Sequence, residues 1–169
     1  MHKIISWGQK AFTVLEIIMV ITIMGIMAVL VINRITGTAE SRINLAAEKI
    51  VSDIRYCQNL AMALHEEVRL SFSIPEDKYE VKDSSGKFFK DPFTQENFVV
   101  DFTASGPLRG ISIDNVDFNS GNELRFDALG HPEDVGNNPL TSQGRIDISY
   151  KGYSKTIVVY PNTGFCKKL

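Results

Sequence analysis

Residues 12–32, FTVLEIIMVITIMGIMAVLVI, form a run of 21 residues with a single charge, Glu16. As a helix this run is about 31 Å long, close to the hydrocarbon thickness of a bilayer, so it predicts a membrane-spanning segment. Beyond it the pattern becomes amphipathic. Apolar side chains recur at Ile43, Ala46 or Ala47, Ile50, Ile54, Cys57, Ala61 and Leu64, the three-four spacing of one helical face. Glu40, Arg42, Glu48, Lys49, Asp53 and Arg55 are assigned mostly to the other faces. Good helix formers fill the intervening positions, apart from Gly37 and its flanking threonines. The helix is therefore expected to run on from the apolar segment to about Leu64, with a soft spot near Gly37.

From Val68 the period shortens to two. VRLSFSI, KYEV, NFVVDF, ISIDNVDF, ELRFDA, RIDISY and KTIVVY read as short strands separated by turn residues such as Pro75, Glu76 and Asp77. RIDISY and KTIVVY are joined by KGYS, where Gly152 is free to take a positive φ, and predict an antiparallel hairpin. Residues 129–144, LGHPEDVGNNPLTSQG, are rich in Gly, Pro and Asn and predict a long surface loop. The expected architecture is α+β: an apolar helix over 12–32, its continuation over 33–66 and a β-domain over 67–169.

Composition adds a modest set of bounds. With 169 residues, 44% hydrophobic and 22% charged, the chain fits one folded domain plus the apolar segment. A formal charge of −2 gives no bulk attraction to nucleic acid or to an anionic membrane surface. The first eleven residues, MHKIISWGQKA, carry Lys3 and Lys10 and no acid, which orients this end toward the cytoplasm and sends the rest across the membrane. A secretory signal peptide is the competing reading, but its apolar region is usually shorter, and no A-x-A-like site follows. Cys57 and Cys166 are too few for a disulfide scaffold and match no zinc spacing. One bridge between them and two free thiols both stand as readings.

A carboxylate near the start of a membrane helix needs a reason, since near the helix centre it is disfavoured by roughly 2.5–3.5 kcal/mol, and by less toward an end. In one reading Glu16 snorkels to the interface. In the other it meets a cation. Were the chain cut after Ala11, the new α-amino group of Phe12 would lie one turn away, positive near neutral pH, on the same chain or on a neighbouring copy.

Lys10, Ala11, Phe12 and Glu16, followed by Gly25 and an Ile-Met-Val-rich run, resemble the class III signal of type IV prepilins and type II secretion pseudopilins. Ala11 stands where Gly is usual, a replacement the family accepts. Asn33 lies near the place of the proline found in major pilins, so no proline break is expected in this helix. AAEKIVSDIRYCQNLAMALHEEVRLSF, LRFDALGHP (124–132) and IDISYKGYSKTIVVYPNTGF resemble segments of the GspH/FimT-type minor pseudopilins. The resemblance implies a long N-terminal helix packed by two antiparallel sheets. It also implies a leader, residues 1–11, removed by prepilin peptidase with cleavage and N-methylation at Ala11 and Phe12, and Glu16 as an assembly determinant. The implied location is the bacterial inner membrane, with a periplasmic C-terminal domain. Implied partners are other pseudopilins or minor pilins, the peptidase, the inner-membrane assembly platform and secreted substrate. The implied subunit sits near but not at the outermost tip, and is not an enzyme.

Other candidates have plainer readings. Asp127, Glu133, Asp134, Asn137 and Asn138 offer oxygen ligands without the spacing of a calcium loop, and read as solvated turn residues. His131 has no ligand partner at metal spacing, and no metal or cofactor is expected. No G-x-S-x-G or comparable nucleophile setting occurs. Loss of Lys3 and Lys10 with the leader leaves 16 basic against 20 acidic residues, formally −4, which disfavours nucleic acid. The alternative function, a FimT-like minor pilin that primes a type IV pilus or aids DNA uptake, rests on Lys151, Lys155, Lys167 and Lys168.

Overall fold

A computed structural model of the chain describes residues 13–35 and 39–169, with side chains over 13–27 and 39–169. The expected leader, the Ala11–Phe12 junction and the soft spot at Gly37 lie outside the described residues. The chain divides into two units between Gly37 and Thr38.

The first unit contains α1, Val14–Ile35. Thr13 caps it: its carbonyl accepts from the Glu16 and Ile17 amides at 3.0 and 3.2 Å, and its Oγ1 accepts from the Glu16 amide at 3.2 Å. Among the described residues no helix is long and apolar enough to cross a membrane. The described side chains of α1 stop at Met27, so the expected span over 12–32 includes residues beyond them.

The second unit begins with α2, Ala39–Leu64. Its buried stripe is Ile43, Ala46, Ala47, Ile50, Ile54, Cys57 and Ala61, as the spacing predicts, with Val51 and Asp53 added. Two assignments change. Leu64 is 47% exposed, because the helix ends there: His65 takes φ 55° and the Glu66 amide returns to the Ala61 carbonyl at 3.3 Å, closing a left-handed cap. Asp53, assigned to a polar face, is only 5% exposed, since position 53 falls between Ile50 and Cys57 on the apolar stripe.

Nine strands follow: β1 Val68–Ser73, β2 Lys78–Asp83, β3 Val99–Asp101, β4 Ser112–Asp117, β5 Glu123–Phe126, β6 Pro132–Glu133, β7 Gly144–Tyr150, β8 Tyr153–Val159 and β9 Cys166–Lys168. They form two antiparallel sheets, ordered β3-β2-β1-β5-β6 and β4-β7-β8-β9. Alternation turns Val68, Leu70 and Phe72 inward from β1 and Ile146 and Ile148 from β7, while β8 buries Ile157, Val158 and Val159 together. α2 lies against β1 and β5 of one sheet and β7, β8 and β9 of the other, so one helix supplies the inner wall of both. The Asp77 carboxylate, in the β1–β2 turn, accepts from the Ile113 amide at 2.8 Å and ties one sheet to the start of the other.

The β7–β8 hairpin closes over Lys151 and Gly152, with φ 47° and 85°, and pairs Tyr150 with Tyr153. Both turn residues take positive φ, the geometry that matches strand twist in a two-residue loop. Two strands differ from expectation. The loop over 129–144 contains β6 and buries Leu140, whose amide donates to the Pro132 carbonyl at 3.3 Å. The C-terminal tail is strand β9, paired with β8 from Val159 to Ile157.

Candidate functional site

Glu16 occupies the third position of the capped helix α1, three residues after Thr13. Thr-x-x-Glu is a capping pattern, and an acid in the first turn is favoured by the positive end of the helix dipole. That local use of Glu16 was legible in the sequence and adds to the two readings made from it. Its carboxylate is exposed and forms no ion pair among the described residues, so it is available to a cation from outside them. The flanking Leu15, Ile17, Ile18 and Met19 are also exposed in the single chain, so the acid sits on an apolar helical surface.

In the second unit the two sulfurs are separate. Cys57 and Cys166 are free and buried, and burial raises both thiol pKa values. The Cys166 Sγ lies 3.4 Å from the Val51 carbonyl oxygen. Val51 is six residues from Cys57, about 9 Å along the axis and a third of a turn around it.

Asp53 is the principal buried carboxylate of the domain. It accepts from the Tyr79 hydroxyl at 2.6 Å and from Lys49 Nζ at 2.8 Å. Burial raises its pKa, and the hydrogen bonds from Lys49 and Tyr79 only partly offset this. Tyr79 is fully buried and its hydroxyl is pushed well up in turn, first by burial and then by the Asp53 charge.

The loop oxygens are likewise engaged. Asp127 accepts from the Leu129 and His131 amides at 2.9 and 2.7 Å, and its other oxygen faces the His131 ring at 3.0 Å. Asp134 accepts from the Gly136 and Asn138 amides at 2.8 and 3.0 Å and from Asn119 at 3.0 Å. Asn137 bridges Arg125 and Glu67. Burial pushes the Glu67 carboxyl up, but the hydrogen bonds from Arg69 and Asn137 outweigh it and hold the pKa below the usual value. These residues build the loop. No group of three or more metal-ligating side chains occurs among the described residues.

Of the basic residues near the C-terminus, Lys168 pairs with Glu48 and Lys167 lies over the Tyr160 ring at 5.6 Å. Arg55, one of the residues resembling the minor-pseudopilin segment, donates to the Cys166 carbonyl at 3.0 Å and covers Phe165 at 5.6 Å. It pins β9 to α2. Gln58 makes a similar tie one turn on, donating to the Gly130 and Thr163 carbonyls at 2.8 and 2.7 Å.

An N-terminal apolar helix, and a second helix laid across two antiparallel sheets, define the α+β pilin-like fold of minor pilins and pseudopilins. Among solved structures the chain is similar to the minor pseudopilin EpsH from the type 2 secretion system of Vibrio cholerae, with a TM-score of 0.53 and 10% identity over 76% of this chain and 96% of that one. It is also similar to the type IV minor pilin FimU of Pseudomonas aeruginosa, with a TM-score of 0.51 and 13% identity over 76% and 88%. No protein-family model matches the sequence, and comparison with curated proteins finds no match.

Proposed function

We propose that the chain is a minor pseudopilin, a non-enzymatic structural subunit of a type II secretion pseudopilus. Carrying this reading is the attachment of a pilin-like domain to an apolar helix with one exposed acid, Glu16, in its capped first turn. Residues 1–11 are the leader, cut at Ala11 by prepilin peptidase, and Phe12 becomes the methylated N-terminus. Residues 12–32 span the inner membrane and later enter the filament core, the segment over 33–66 leads from there through α2 to the domain, and the domain over 67–169 faces the periplasm. The assembly platform feeds the subunit to its neighbours near, but not at, the tip, where its outer face contacts other pseudopilins or cargo.

Glu16 gives the step its physical direction. An unpaired carboxylate among apolar helices is strongly disfavoured, and the α-amino group of Phe12 on an adjacent subunit relieves that cost at one axial offset only. Glu16→Val is therefore expected to insert in the membrane normally and to be missing from sheared filaments, as read by immunoblot of the two fractions. Wild-type incorporation of the variant would remove Glu16 from the mechanism.

A second reading, a FimT-like minor pilin of a type IV pilus, draws support from the FimU likeness. It places nucleic acid at Lys151, Lys155, Lys167 and Lys168, of which Lys168 is already paired with Glu48. A salt-sensitive DNA mobility shift given by the full chain would favour it.

A further inference from the structure

Three cations from distant parts of the chain meet around one tyrosine. Arg42 in the first turn of α2, Arg109 in the loop before β4 and Lys151 at the tip of the β7–β8 hairpin line a hollow of about 620 Å³ with Ser105, Gly106 and Tyr150. Arg42 donates to the Tyr150 hydroxyl at 3.1 Å, and its guanidinium carbon is 5.9 Å from the centre of the ring. Lys151 Nζ is 5.5 Å from the same ring. These contacts hold Arg42 and Lys151 in place without neutralising them.

Among the described residues no carboxylate lines the hollow, and Arg42, Arg109 and Lys151 form no ion pair. Several other cations in the domain are paired, Lys49 with Asp53, Lys78 with Glu76 and Arg145 with Asp147, and those without an ion pair among the described residues, such as Arg55 and Lys167, lie outside this hollow. A second basic hollow, beside β9, holds Glu48 as a counter-charge for Lys168. On β7 the acid next to the site points away, since alternation puts Asp147 and Ser149, which bonds Asp114, on the face opposite Tyr150. In a chain with more acids than bases, an unpaired positive cluster of this kind is a focused field awaiting an anion.

We infer that this hollow binds the phosphate of an anionic phospholipid headgroup. The inference rests on the membrane anchoring proposed above. Two guanidinium forks suit phosphate oxygens in pairs, and Lys151 adds a point charge beside them. The volume is larger than a phosphate group needs and leaves room for the glycerol that carries it. Ile35, the last residue of α1, is seven residues from Arg42, at most about 25 Å of chain at full extension, which keeps the hollow within reach of the bilayer surface. The contact would hold the domain against the membrane until the subunit leaves for the filament.

The test uses the full chain in neutral detergent, with bound lipid counted by native mass spectrometry. Dihexanoyl phosphatidylglycerol is titrated against dihexanoyl phosphatidylcholine, inorganic phosphate and a short DNA duplex. Phosphatidylglycerol is expected to bind at least tenfold more tightly than phosphatidylcholine. The preference should be lost in Arg42→Gln/Arg109→Gln/Lys151→Gln and kept in Lys155→Gln. Arg109→Gln/Lys151→Gln alters only exposed side chains and should weaken the preference severalfold if the triple variant does not fold. Undiminished preference in these variants would overturn the inference, as would tighter binding of the DNA duplex. Displacement of the lipid by equimolar inorganic phosphate would identify a free-anion site and overturn the headgroup assignment. Sodium carbonate extraction of the same chain reports anchoring separately: a peripheral protein would sink the anchoring, whereas an integral one without headgroup preference would sink this inference alone.

Discussion

Asp53 shows what a single buried carboxylate costs and what keeps it in place. Tyr79→Phe keeps the ring and removes the 2.6 Å hydrogen bond, leaving the carboxylate short of a partner. The expected loss is about 1–3 kcal/mol of unfolding free energy, measured by denaturant titration. Asp53→Asn tests the charge itself. Burial raises the folded pKa above the unfolded value of about 3.9, so the native state holds the proton longer than the unfolded chain. The stability contributed by Asp53 is thus full below that unfolded value and declines as pH rises through the folded one. Besides burial, Lys49, Tyr79 and Asp91 act on this titration. Stability of Asp53→Asn relative to wild type should accordingly rise with pH from 4 upward, and a flat difference would contradict the assignment. At this scale the sequence was least transparent. Helical spacing puts position 53 on the apolar stripe, but residue type argued for solvent, and only the tyrosine 26 residues away on β2 resolves the conflict.

Elements read more clearly where a period repeats. The α2 stripe, β1, β7, β8 and the Lys151–Gly152 turn were all visible as spacing plus turn chemistry. β6 and β9 were not, because runs of two and three residues are too short to show alternation and exist only through pairing with β5 and β8. The entry to β7 is a tight point that no pattern announces. A Cβ at Gly144 would come within 2.5 and 2.6 Å of two Phe118 ring carbons. Gly144→Ala is expected to cost about 1–3 kcal/mol by overpacking, and Phe118→Leu in the same chain should recover part of it, as followed by thermal unfolding.

For the molecule as a whole, one intact-mass measurement addresses two separate points. The N-terminus should begin at methylated Phe12, and reductant should leave the mass unchanged, since Cys57 and Cys166 are free. Alkylation should add two groups only after denaturation, because both thiols are buried. The α+β architecture was accessible from periodicity, whereas the basic hollow was not: Arg42, Arg109 and Lys151 are isolated charges in the sequence and become neighbours only when hairpin, loop and helix close on Tyr150. A helix that forms the inner wall of both sheets has a mechanical consequence. A pull on its N-terminal end enters the domain as shear along the helix and is divided between two hydrogen-bonded sheets. Arg55 and Gln58 carry part of that load into β9 and the loops beyond it, so the domain resists being peeled apart one strand at a time.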